Sequence, residues 1–264
     1  MNFQAYGASA PFKGVTGVFV AASTRCFADH GFTAACHHLA DLEYEKIEIW
    51  FDENSEHLKP SEVAADPEGF YARYRENTRL TPVAFWLGSE VNIPTFTALS
   101  RLAKQFRITQ ITINSSPLGT PFNAEIDRLK EFLRIGSQDG IRISITTKSG
   151  QLTEDPRTAV ELCQATPGLG LTLDPSYYIC GPHREASYDQ IFPYVYHMHL
   201  RDTTPEQIQV RIGLGEVDYS RIISQLNRYK YARALSVDLF PEMLPDNQRP
   251  IELRKMRLLL ESLL

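Results

Sequence analysis

From about residue 15 onward, short runs of β-branched and aliphatic residues alternate with longer stretches whose apolar positions recur at helical spacing. Eight runs read as strands: 17–22, 46–51, 81–86, 107–114, 140–147, 168–174, 194–200 and 234–240. A helical segment follows each, as in 123–135, where Leu129, Phe132 and Leu133 share a face, and in 249–264 at the end of the chain. Repeated strand–helix units of this number and size predict an α/β protein, a parallel (β/α)8 barrel occupying residues 1–264 as one domain.

Side chains alternate across a strand, so the strand pattern also predicts facing. Ile47 and Ile49 point to the helix layer and Glu48 to the barrel interior; Ile143 and Ile145 point outward, Ser144 and Thr146 inward. The same rule turns Thr112, Asn114, Thr172, Asp174, His197, His199, Ser236 and Asp238 inward. Near the strand C-termini the interior is therefore polar: Glu48, Asn114, Thr146, Asp174, His199 and Asp238. Buried carboxylates without partners cost several kcal/mol each, so these groups must be hydrated, mutually bonded or bound to a cation. Two outcomes stay open: a site at the barrel mouth, or a hydrogen-bonded polar plug.

Composition narrows the setting. A formal charge of −5 and the lack of any Lys/Arg run disfavour nucleic acid. Cys26, Cys36, Cys163 and Cys180 are scattered, without the spacing of a zinc site or a disulfide framework, and read as reduced thiols of a cytoplasmic protein. The first fifteen residues contain no apolar run long enough for a signal segment or a membrane span.

Several ordered motifs carry a resemblance: Ser23-Thr-Arg-Cys26, Ile47-Glu-Ile-Trp50, Leu118-Gly-Thr-Pro-Phe122 and Ile145-Thr-Thr-Lys-Ser-Gly150. They continue with Gly170-Leu-Thr-Leu-Asp174-Pro-Ser-Tyr177, His197-Met-His199-Leu-Arg-Asp202, Gly213-Leu-Gly-Glu-Val-Asp218 and Leu235-Ser-Val-Asp238. In this order they resemble the xylose-isomerase-like TIM-barrel proteins, usually described as sugar phosphate isomerases or epimerases. The resemblance implies one divalent metal ion, Mn²⁺, Mg²⁺ or Zn²⁺, held by carboxylates and a histidine, and a small carbohydrate or sugar phosphate as substrate. Asp174 and His199 stand where the family's ligands stand, and Asp238 takes the place of a glutamate. Thr146 replaces the strand-five glutamate, Lys148 a histidine that often follows it, and Tyr177 a substrate-contacting histidine.

These departures bear on chemistry. Thr146 cannot serve as a base, and Asp238 reaches roughly 1.5 Å less far than glutamate. Lys148 would repel a cation at the vacant corner, or pair with Asp174 or Asp238 and replace it; a Schiff base is its remaining option. Three readings follow: metal-assisted proton transfer with Asp238 and Lys148 as catalytic groups, a silent or metal-free sugar-binding relative, or a lyase. Glu48, Asn114, Thr146, Tyr177 and Arg201 are the candidate substrate contacts, with Glu48 also a fourth oxygen for a metal. Endonuclease action, known elsewhere in the superfamily, is disfavoured for want of histidines and a basic face.

Smaller features have plainer expectations. His197 lies one layer below His199 and reads as a hydrogen-bonded structural residue; Arg201 and Asp202 either meet substrate or brace a loop. Trp50, Phe51 and Trp86 form either core or an apolar wall for a sugar face. Residues 52–66, with His57 and Lys59, read as a long solvated loop or a lid. Gly213-Leu-Gly215 makes a tight turn before a helix capped by Asp218, and His37 and His38 receive no function.

Overall fold

The structure is a computed structural model, and it describes residues 17–264. The sequence expectation for the first fifteen residues lies outside that range. Eight parallel strands close into a barrel in sequence order, β8 pairing with β1. They are β1 (Phe19–Ser23), β2 (Lys46–Phe51), β3 (Thr81–Leu87), β4 (Gln110–Ile113), β5 (Arg142–Thr146), β6 (Gly170–Leu173), β7 (Val195–Leu200) and β8 (Ala234–Val237). The predicted runs are correct in number and position but too long for β4, β5, β6 and β8. Arg107, for example, sits at φ 62°, a turn conformation that cannot extend a strand.

The helices are α1 (Phe32–Asp41), α2 (Pro60–Ala65), α3 (Pro67–Asn77), α4 (Ile93–Gln105), α5 (Phe122–Asp139), α6 (Pro156–Ala165), α7 (Pro175–Ile179), α8 (Tyr219–Arg228) and α9 (Arg249–Leu263). Their starts follow from local chemistry. Asp66, Asn92, Asp155, Asp174 and Asp218 each accept a backbone N–H of the first turn, and proline occupies an early position in all of these helices except α8. The segment after β6 departs from the regular repeat: α7 and a 3-10 turn, Asp189–Tyr194, replace a full crossover helix. Residues 52–66 are not an open loop, since they carry α2 and are pinned through His57, whose Nδ1 bonds the His30 carbonyl at 2.8 Å.

The core is the layer between barrel and helices, where Ile47, Ile49, Phe51, Phe85, Ile111, Ile143, Leu171, Met198, Leu200, Leu235 and Val237 are almost fully buried. Phe51 therefore belongs to the core, packed edge-on against Phe85, while Trp50 faces the interior. Inside the barrel the middle layer is hydroxyl-rich and mostly paired: Thr112 bonds Thr172 at 2.8 Å, and Ser144 bonds Thr172 and Gln110 at 2.6 Å each, while Gln110 Oε1 and Ser236 Oγ have no partner among the described residues. This network pairs most of the polar groups of that layer with one another. No helix among the described residues is long and apolar enough to cross a membrane.

Candidate functional site

Alternation along β2 and β7 brings Glu48, His197 and His199 to the upper interior, all of them buried. Glu48 Oε2 lies 2.8 Å from His197 Nε2, and Glu48 Oε1 lies 2.8 Å from His199 Nε2. An ionised carboxylate can only accept, so both imidazoles present an Nε2–H to it. Burial pushes the Glu48 carboxyl upward, but His199 and His197 outweigh it and hold the group well below the usual range. Burial likewise disfavours the His199 imidazolium, yet Glu48 holds its pKa above the ordinary value. His197 is thus the structural histidine the pattern suggested, and Glu48 is committed to both rings.

One layer higher, a fully buried Arg201 occupies the centre. Continuing the β7 alternation past His199 turns its side chain inward. Its guanidinium donates to Oδ2 of both Asp174 and Asp238, to Ser176 Oγ at 2.7 Å and to the Asp238 carbonyl at 2.8 Å. The ring of Phe240 lies 3.9 Å from the Arg201 guanidinium carbon. Burial opposes the charge, but Asp174 and Asp238 hold the Arg201 pKa above its ordinary value. Arg201 was expected at the edge, contacting substrate or bracing a loop; it is instead the cation at the centre, and it makes the pairing considered for Lys148.

Asp202 does the loop bracing. Its Oδ2 accepts the backbone N–H groups of Gly213 (2.7 Å) and Gly215 (3.0 Å). Gly213 sits at φ 91°, and a Cβ at position 215 would fall 2.1 Å from Asp202 Oδ1, so both glycines are required for the loop to wrap a carboxylate.

The remaining candidates fall on two sides. On the β4–β5 side, Thr146 Oγ1 donates to Asn114 Oδ1 at 3.1 Å, Gln151 stands beside them, and Asn114 Nδ2 donates to the Gly88 carbonyl at 2.6 Å. On the opposite side, Arg25 follows β1 and places Nη1 3.3 Å from Asp238 Oδ2. Its guanidinium carbon lies 4.2 Å from the Phe240 ring and 5.0 Å from the Trp86 ring. Lys148 is half-buried and lies in the field of Arg25, Asp52, Asp238 and Arg201; burial first, and Arg25 next, lower its pKa. Burial pushes the Tyr177 hydroxyl up to about 12. Arg25 and Ser176 were not singled out as site residues from the sequence. Both have a signal: Ser176 is the second residue of the helix capped by Asp174, and Arg25 lies in the Ser23-Thr-Arg-Cys26 motif that follows β1.

Asp174, His199 and Asp238 do converge, with one potential ligand atom of each within 4.8 Å of the others, and Glu48, His197 and His199 form a second such group. Proximity is not a fit, however. Both aspartates share one guanidinium, and the His199 Nε2 is turned to Glu48. Of these oxygens, Asp238 Oδ1 alone is buried without a partner among the described residues. A divalent ion at this point would meet a buried, fixed positive charge, so the side chains as arranged do not fit the metal that the resemblance implies.

The fold and the polar mouth at its C-terminal edge define a class of barrel in which the site is built from strand ends and the loops after them. The family model described as xylose isomerase-like TIM barrel matches residues 36–259, and the chain belongs to that family. No curated protein matches by sequence. Among solved structures, the chain is similar to a xylose isomerase-like TIM barrel protein from Mycobacterium smegmatis in complex with magnesium (16% identity, 94% of this chain and 98% of that one, TM-score 0.71). It is also similar to a probable 3-DHS dehydratase from Bacillus anthracis (15%, 92% and 98%, TM-score 0.69). A third is a D-allulose 3-epimerase from Methylomonas sp. (11%, 94% and 99%, TM-score 0.68). At these identities the likeness concerns the fold.

Proposed function

We propose that this protein is a metal-independent member of the family that binds a small carbohydrate at the C-terminal mouth of the barrel, in the cytoplasm, as a single domain. The observation that carries the reading is the buried Arg201 guanidinium shared by Asp174 and Asp238, a permanent cation where the family's metal would draw its ligands. Family membership supports the carbohydrate, and four unpaired cysteines support a reducing compartment. Of the side chains at the mouth, Asp238 and Lys148 are the pair suited to exchange a proton with a substrate: Asp238 Oδ1 is an uncommitted acceptor, and Lys148 has a lowered pKa.

A second reading, metal-assisted isomerisation or epimerisation of a sugar or sugar phosphate, draws support from the convergence of Asp174, His199 and Asp238. It requires Arg201 to leave both aspartates. Metal analysis of protein purified without chelator separates the two. The first reading expects no stoichiometric metal and no rise in melting temperature with Mn²⁺, Mg²⁺ or Zn²⁺; bound metal with stabilisation would overturn it.

A further inference from the structure

We infer that the ligand of this mouth carries a carboxylate, gripped by Lys148 and Arg25 with the Tyr177 hydroxyl beside them. The inference rests on the carbohydrate-binding reading and names the chemical class within it. The mouth is rich in uncommitted donors. The Lys148 ammonium has no hydrogen-bond or ion-pair partner among the described residues, where its backbone N–H alone is engaged. Among the same residues Arg25 makes one polar side-chain contact, through Nη1 to Asp238, which leaves Nε and Nη2 free. The Trp86 Nε1 is buried without a partner, and its ring lies 4.4 Å from that of His199 at the top of the interior. The Tyr177 ring faces Arg201 at 5.8 Å, and its hydroxyl is likewise without a partner among the described residues.

Against these donors stands a single uncommitted buried acceptor of the cluster, Asp238 Oδ1. A sugar hydroxyl meets such donors with neutral oxygens and brings a donor of its own, whereas a carboxylate only accepts and meets guanidinium and ammonium groups with charge-assisted bonds. Charge favours a monoanion. Arg201 and Arg25 balance Asp174 and Asp238, which they contact directly. Lys148 is then the cation without a contacting anion; Asp52 lies in its field but turns Oδ1 to the Asn54 N–H at 2.8 Å. An ammonium without a contacting anion suits a carboxylate better than a dianionic phosphate placed above two aspartates.

Calorimetric titration with D-xylose, D-xylonate and D-xylose 5-phosphate tests this. Xylonate is expected to bind at least tenfold more tightly than xylose and more tightly than the phosphate. Lys148→Met should weaken xylonate tenfold or more, and Lys148→Arg should restore most of that loss, with circular dichroism confirming the fold of each variant. Binding of xylose without preference for xylonate, or a Lys148→Met variant that keeps full xylonate affinity, overturns the inference alone. Preference for the phosphate overturns the carboxylate assignment. Failure of all three to bind overturns the inference together with the carbohydrate reading.

Discussion

Replacing Arg201 by methionine removes the charge while keeping an unbranched side chain of useful length. Two buried aspartates then lose their shared cation, and Ser176 Oγ, the Asp238 carbonyl and the Phe240 ring lose a partner. Removing one member of a buried ion pair costs about 3–5 kcal/mol because the other charge stays buried. Arg25 still reaches Asp238, which trims the loss there, but Asp174 keeps only its bonds from the Ser176 hydroxyl and N–H. For a chain of this size that loss lowers the melting temperature by about 6–20 °C. The same substitution frees Asp174 and Asp238 as ligands, so Mn²⁺ should now stabilise the variant by about 2.7 kcal/mol at a hundredfold excess over its dissociation constant. Thermal and urea unfolding of both proteins, with and without Mn²⁺, provides the assay. A loss below about 1 kcal/mol, or Mn²⁺ stabilisation of the unmodified protein equal to that of the variant, would refute the assignment of Arg201 as the resident cation.

Four further outcomes follow from the contacts described above. The Glu48 carboxyl is held below its ordinary value of 4.5, so its contribution is present above that pH and is lost as pH falls through the lower folded value; Glu48→Gln should flatten this acid limb in pH-dependent unfolding, and an unchanged limb contradicts the pairing. His199, held above 6.5, contributes fully below that pH and loses its contribution as pH rises through the raised value, and Glu48→Gln should lower its NMR titration midpoint. Burial pushes the Cys26, Cys36 and Cys163 thiols up to about 12, so a thiol reagent at pH 8 should label Cys180 alone in the folded protein and four cysteines after unfolding; rapid labelling of a second thiol would contradict the packing. Asp202→Ala leaves the Gly213 and Gly215 N–H groups without their acceptor and should cost about 1–3 kcal/mol, with new protease cleavage between residues 203 and 217 as the readout.

The strand pattern alone determined the barrel and which way each inner residue points, because a period of two admits only two facings and a run such as Ile143-Ser-Ile145 chooses between them. It also carried the ordered motifs of the family. What it left undetermined was pairing. Lys148 and Arg201 are both cations just beyond strand ends, and nothing local decides which reaches Asp174 and Asp238. The β7 alternation His197, His199, Arg201 already pointed Arg201 inward, a reading lost once the strand was ended at Leu200. Arg25 enters from the far side of the chain, 213 positions from Asp238, through a turn that has no period to read. Strand closure of β1 on β8 sets those two side by side. Facing is a property of neighbouring residues and is legible in their order; partnership across a barrel mouth depends on where distant strand ends meet, and only the closed structure decides it.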